Sequence, residues 1–326
     1  MNFKLGFGPM SREIVDIIAD YTVERQQPLM LIASRNQIDA NSGYVMKTAE
    51  LTAALSGKDR TYLQVCRDHC GPYFNDSERD LHPQAAVDSC QANIAVDLDN
   101  GFDLIHVDTS RINNGYDVAD RIIKFTQDIN PNVKFEFGTE ENIGVAAGIE
   151  RYRADVEFAK NYANMEFVVA QTGSLCFEDR QSGTFDAAAV SQLVSIATEA
   201  GVRLKEHNAD YLTTEQILLR HTTGVHAMNI APQLGVVQTM LLRRLCHQFQ
   251  IASWTDFLHV ALASKKWSKW TTSQNPDQWL IVGGHYSFAT DEYKRLIDEI
   301  NQHVDFHALL KTDIERVLDT YVNAFN

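Results

Sequence analysis

A chain of 326 residues, 44% hydrophobic and 22% charged, is long enough for one large α/β barrel or two ordinary domains, and its balance is that of a globular protein with a sizeable core. Its 29 basic and 43 acidic side chains leave a formal charge of −14 with no Lys/Arg stripe, so neither a nucleic-acid backbone nor an anionic membrane surface is an expected partner. No stretch of about 18 apolar residues occurs, the N-terminus lacks a basic-then-apolar leader pattern, and the five cysteines are scattered, which together predict a cytoplasmic protein.

Short β-branched runs alternate with amphipathic stretches. "FKLGFG" (3–8) precedes a helix over 11–26, "LMLIAS" (29–34) one over 48–55, and "TYLQVC" (61–66) one over 83–98. "DLIHVD" (103–108) precedes a helix over 117–129, and "VKFEFG" (133–138) one over 149–162. "EFVVAQ" (166–171), "VRLKEH" (202–207) and "GVHAMNI" (224–230) complete eight strand-helix units. Repeated βα units require parallel strands with helical crossovers, and eight of them predict a closed (β/α)8 TIM barrel over residues 1–250. A doubly wound open sheet is the runner-up, but "GFGPMS" lacks the GxGxxG spacing that such a fold would place after its first strand. From about 251 the sequence becomes aromatic-rich, then helical over 291–321, and is read as a C-terminal helical extension (251–326) packed on the barrel.

Catalytic groups of such barrels sit at the C-terminal ends of the strands. Those ends read Asn36 and Gln37, Asp68 and His69, Asp108 and Ser110, Glu140, Gln171, then Glu206, His207 and Asp210, with Asn229 on the eighth strand. An Asp or Asn after a strand is often a turn former or helix cap, and Asp210 is read equally as a cap and as a catalytic group. His106 and His226, inside strands, are read as packing residues. Gln, His and Glu are not turn formers, so their recurrence points to a site.

"VCRDHCGPYF" (65–74) offers two cysteines, a histidine and an aspartate within five positions. A structural zinc site needs about four ligands, and Cys90 stands alone in a helix. Three residues, not two, separate Cys66 from Cys70, so a CxxC redox pair is absent. Cys66 is read as the packed end of the third strand, Cys70 as a small turn residue, and Asp68-His69 as the functional couple.

No nucleophile elbow or P-loop occurs, and only Lys205 lies near a strand end, which weakens a Schiff-base mechanism. His69, Glu140, Gln171 and His207 would make a mixed N/O site for a divalent ion, Zn²⁺ in the first place and Mn²⁺ as the alternative. Such an ion would polarise a ketose carbonyl and stabilise an enediolate. Asp68 is the expected proton-transfer group, with Glu140 and Asp210 as further catalytic groups. Asn36, Gln37, Asp108, Ser110 and Asn229 are expected to bind substrate.

"SRNQIDANSGY", "RDHCGP", "GFDLIHVDTS", "FGTE", "VVAQTG" and "KEHNADY" follow in the order and spacing of the accessory subunit of class II tagatose-1,6-bisphosphate aldolase, and the sequence resembles that family through the barrel and weakly into "KKWSKW" and "GGHYSF". The resemblance implies a (β/α)8 barrel related to the metal-dependent aldolases. By similarity Asp68 matches their base, and His69 and His207 match ligand histidines. The chain departs where those aldolases carry a ligand histidine on strand six, here Gln171, and a Gly-Gly-Ser turn after strand seven, here "HNADY". A substrate phosphate would then be held by Lys265, Lys266 and Lys269 or by "GGHYSF", though the lysines equally suit a solvated helix face. Three functions follow from the resemblance: an aldolase-type lyase on a ketose or ketose phosphate, a 4-epimerase using the same site, or a non-catalytic subunit stabilising a catalytic aldolase partner. Self-association is expected of such barrels.

Overall fold

A computed structural model describes residues 3–139, 141 and 143–325. Eight parallel strands close into a barrel in sequential order, each pairing with the next and the last with the first. They are β1 (Leu5–Phe7), β2 (Leu29–Ser34), β3 (Leu63–Cys70), β4 (Leu104–Asp108), β5 (Lys134–Gly138), β6 (Met165–Ala170), β7 (Arg203–Glu206) and β8 (Ala227–Ile230). The helices between them are α1 (Arg12–Glu24), α2 (Thr48–Leu55), α3 (Pro83–Asp99), α4 (Gly115–Ile129), α5 (Ile149–Ala159), α6 (Ala187–Glu199), α7 (Thr214–Thr223) and α8 (Pro232–Phe249). The chain therefore has the expected (β/α)8 fold rather than an open sheet. Among the described helices none is long and apolar enough to cross a membrane.

Local chemistry explains the punctuation. Ser11 caps α1 by accepting from Ile14 N–H, Pro83 and Pro232 open α3 and α8, and Thr213 with Gln216 forms a capping box on α7. Gly224, in the left-handed region, ends α7.

Strand side chains alternate between two environments. One set, Leu29, Leu31, Leu63, Val65, Ile105, Val107, Phe135, Phe137, Val168 and Leu204, packs outward against the helices in the main core. The other faces the barrel axis, where Met30, Ile32, Cys66, Leu104, Phe167 and Ala227 form a separate apolar layer. Two residues further toward the C-terminal ends, Ile32, Cys66, Leu104 and Ala227 are followed by Ser34, Asp68, His106 and Asn229, polar groups of the mouth.

The strand β3 is tied to its helix by a buried ion pair. Arg67 Nε and Nη2 each lie 2.7 Å from the Asp97 carboxylate on α3, and Nη1 donates to the carbonyls of Ala33 and Ile38. Asn93 and Thr48 also hydrogen-bond Asp97. Both charged side chains are fully inaccessible to solvent.

Beyond α8 come α9 (Trp254–Ala263), α10 (Pro276–Gly283), α11 (Asp291–Ile300) and α12 (Phe306–Phe325), so the single helix read over 291–321 is two, broken at 301–305. A 3₁₀ turn at Lys266–Lys269 and another at Gly284–Ser287 carry "KKWSKW" and "GGHYSF". Stacked indoles of Trp267 and Trp279, 4.0 Å apart, lock the first turn to α10. A small hairpin after β6 reaches it as well: Glu178 N–H donates to Trp270 O at 2.7 Å, and Thr271 Oγ1 to Glu178 Oε1 at 3.0 Å. The aromatic segment thus lies across the barrel mouth.

Candidate active site

The strand β3 runs to Cys70, four residues past its expected end, and its register against β4 shifts between Arg67 and Cys70. His69 within this bulge has φ +44°, a left-handed conformation that a histidine adopts only under constraint. Regular pleating would send Asp68 and His69 to opposite faces, whereas the bulge brings both to the mouth. Cys70 is buried in the strand rather than in a turn, its Sγ 3.8 Å from that of Cys90. Gly71 then passes so close to the Asp108 carbonyl that a Cβ there would lie 1.6 Å from the oxygen.

Three imidazoles meet at this point. The ring centres of His69, His106 and His207 are 5.3, 5.3 and 5.0 Å apart pairwise. With Asp68 they form a cluster in which one donor atom from each residue lies within 4.8 Å of the others. His106, read from sequence as a packing residue, is buried as packing requires, yet its Nδ1 is 3.1 Å from Asp68 Oδ1 and it belongs to the cluster.

The far nitrogens of two rings are fixed by carboxylates. His69 Nδ1 lies 2.6 Å from Asp108 Oδ2, and Ser110 N–H holds the other Asp108 oxygen at 3.0 Å. His207 Nε2 lies 2.6 Å from Glu136 Oε1, and the second Glu136 oxygen is 2.5 Å from the Nζ of the fully buried Lys205. Asn229 Nδ2 lies 3.1 Å from the same His207 nitrogen.

Electrostatics fixes the protonation states. Burial alone would raise Asp68, but His69, His207 and His106 pull its carboxyl well below the usual range. Burial opposes charge on His69, yet Asp68 and Asp108 push the imidazolium up to about 9. Burial lowers His207. Against burial, Lys205, His106 and His207 bring Glu136 down to about 2, and His69 keeps Asp108 low. With Asp108 and Glu136 ionised, His69 Nδ1 and His207 Nε2 must be the protonated donors. His207 Nδ1 is then left as a free lone pair, and His69 Nε2 becomes one when the imidazolium gives up its second proton, the arrangement that metal-binding histidines use. Three imidazoles with an adjacent carboxylate suit Zn²⁺ or Mn²⁺ by donor chemistry.

The cluster opens into a cavity of about 640 Å³ that Asn36, Asp108, Ser110 and Gln171 also line. A connected chamber of about 170 Å³ holds Gln37, Asp210 and Asn229. Gln37 serves Ser34 N–H, Asn36 serves Asp76 N–H, and Asp108 orients His69. Asp210 Oδ1 accepts from Ala231 N–H and Gln233 N–H, so it caps the start of α8, and burial raises its pKa to about 7. Glu140 lies outside the described residues. A groove of about 680 Å³ between α3 and α4 shares Ser110 and Arg111 with the mouth but contains none of the histidines.

No family model matches this sequence, and no curated protein does. Solved structures match in fold. A protein described as a probable tagatose 6 phosphate kinase from Sinorhizobium meliloti 1021 superposes with a TM-score of 0.83 at 16% identity, over 98% of this chain and 99% of that one. The fructuronate-tagaturonate epimerase of Cohnella laeviribosi gives 0.60 at 12%, over 97% and 80%. The fructose-bisphosphate aldolase of Campylobacter jejuni gives 0.54 at 12%, over 91% and 90%. Identities this low establish the shared barrel fold alone.

Glu136 is the site residue that the strand-end reading missed, while His106 was given a packing role and Lys205 was weighed only for a Schiff base. The signal for them was parity: they stand two residues before Asp108, Gly138 and His207 on the same strand faces.

Proposed function

We propose that this chain is a divalent-metal-dependent enzyme acting on a ketose or ketose phosphate by aldol cleavage and condensation. The observation that carries the reading is the convergence of His69, His106 and His207 with Asp68 at the C-terminal mouth of a closed barrel. The three histidines would hold the ion, with Gln171 lining the same cavity. When bound, such an ion supplies Lewis acidity at a ketose carbonyl.

The protein's own groups do the rest. Asp108 and Glu136 keep His69 and His207 in one tautomer and one orientation. Lys205 neutralises Glu136 from below, so that the carboxylate can accept from His207 without carrying an unpaired buried charge. Asp68, held ionised, is ready to take a proton from the substrate and to return it. The proteins of this fold named above are described as an aldolase, an epimerase and a probable kinase, and the first two descriptions match the cleavage and epimerisation chemistry open to such a cluster. Epimerisation would begin from the same proton removal.

Metal analysis of the purified chain tests the reading. About one equivalent of Zn²⁺ or Mn²⁺ is expected, and His207→Ala should abolish its retention together with triose release from ketose phosphates. A metal-free chain with an unaffected His207→Ala variant would leave only the non-catalytic, partner-stabilising role. Interconversion of hexoses without triose release would make the chain an epimerase.

A pH dependence follows from His69. The imidazolium is raised to about 9, so below that pH a proton occupies the nitrogen the metal needs, and binding must expel it. Apparent Zn²⁺ affinity should therefore rise by about tenfold per pH unit from pH 6 to 8. Competition with a chromogenic chelator at each pH measures it. A flat profile would remove His69 from the ligand set.

A further inference from the structure

Four basic side chains other than histidine line the main cavity: Arg79, Arg111, Lys266 and Lys269. Three carboxylates line the same cavity, and each is already engaged, Asp76 at 3.7 Å from Arg79, Glu141 at 2.9 Å from Arg111 and Asp108 at 2.6 Å from His69. Among the described residues no carboxylate pairs with Lys266 or Lys269. Their ammoniums lie instead over ring faces. Lys266 Nζ is 5.6 Å from the centre of Tyr44 and 5.3 Å from that of Tyr286, while Lys269 Nζ is 4.6 Å from Trp270 and 5.3 Å from Tyr286. A ring face attracts a cation without neutralising it. In a chain with a net charge of −14, two positive charges gathered on one cavity wall without an ion-pair partner among the described residues stand out against the bulk composition.

The surroundings show the same excess. Burial brings Lys269 down to about 8, with Asp76 opposing and Arg111 adding to the shift. Behind the pair, buried His285 is held neutral by burial and by the two ammoniums, so it adds no charge. The segment is also fixed in place, through the Glu178–Trp270 and Thr271–Glu178 hydrogen bonds and the Trp267–Trp279 stack. Lys269 and Trp270 line both the main cavity and the smaller chamber that contains Asp68, His69 and His207. A single small molecule can therefore reach the lysines and the histidine cluster together.

We propose that Lys266 and Lys269, with Arg111 beside them, form a subsite for a terminal oxyanion on the substrate, a phosphate monoester or a carboxylate, supplied by the C-terminal segment while the barrel supplies the chemistry. The assignment of that anion to a ketose rests on the function proposed above. The charged end anchors on the lysines and the carbonyl end points to the histidines.

Calorimetric binding of fructose 6-phosphate, fructuronate and neutral fructose to the full chain with Zn²⁺ tests this. One charged ketose should bind at least about tenfold more tightly than fructose, as charge-assisted contacts produce. The Lys266→Gln/Lys269→Gln variant should lose that preference while keeping its metal content and its fructose affinity, and Lys269→Arg should retain the preference. Tighter fructose 6-phosphate identifies a phosphate ester, and tighter fructuronate a carboxylate. Equal affinities in the wild type, or a preference surviving in the double variant, would overturn the subsite. Inorganic phosphate titrated into chelator-treated chain, followed by tryptophan fluorescence, reads the subsite without the metal. Saturation in the wild type and none in the double variant supports it whatever the metal analysis gives. Failure of all three ketoses to bind while phosphate still saturates would sink the ketose reading and leave the anion subsite standing.

Discussion

Asp68→Asn should lower kcat by about 10²- to 10⁴-fold, the usual worth of a positioned general base. The carboxylate is the proton acceptor in the proposed reaction, and its neighbours hold it ionised at neutral pH: His106 Nδ1 at 3.1 Å and His69 Nε2 at 3.8 Å. The amide is nearly the same size, so the bulge and its packing should survive. It cannot accept the proton. Metal content measured on the same sample separates two roles. Loss of turnover with the metal retained makes Asp68 the base, whereas loss of both makes it a ligand. Full activity of the variant would remove it from the chemistry altogether. The effect should be nearly independent of pH above the normal carboxylate range, because Asp68 is depressed below that range and stays ionised throughout.

Arg67→Ala should destabilise the fold by about 3–5 kcal/mol, since it leaves the Asp97 carboxylate buried without its counter-charge. The pair lies entirely within the protein, and the guanidinium also satisfies the carbonyls of Ala33 and Ile38. Burial raises Asp97 even with Arg67 present, so the lone carboxyl would have to take up a proton or open the structure to water. Urea unfolding reads the loss as a shift in midpoint. Replacing both partners, Arg67→Met with Asp97→Leu, should recover much of it, because the desolvation cost disappears with the charges. A single variant as stable as wild type would mean that the pair contributes nothing net. The neighbouring bulge makes the site sensitive to this anchor, since Arg67 immediately precedes Asp68 and His69.

Much of this was legible in the sequence because it depends on local periodicity. The eight β-branched runs and the helices between them follow from patterns of two and 3.6 residues. Eight βα units leave few ways to bury their apolar faces other than a closed barrel. The positions of Asp68, His69, Asp108, Gln171, His207 and Asn229 at strand ends followed from the same count. The −14 charge and the aromatic, lysine-bearing segment near residue 267 were legible from composition.

Tertiary structure decided what depends on closure. A histidine within a strand has no visible neighbours until β3, β4, β5 and β7 curve round one axis, which is why His106 passed for a packing residue, Lys205 was weighed only for a Schiff base and Glu136 passed unnoticed. The left-handed φ of His69 is set by the register shift between β3 and β4, a relation between segments about 35 residues apart that local propensity does not encode. Asp210 was ambiguous for the converse reason: whether it caps a helix depended on where the Ala231 and Gln233 amides came to lie. The lysines of the C-terminal segment could be a solvated face or a cavity wall, and the hydrogen bonds joining Trp270 and Thr271 to Glu178 decided for the wall. Sequence periodicity set the barrel and its polar rim, whereas the partners of each rim residue were fixed only when distant strands and the C-terminal segment met across the axis.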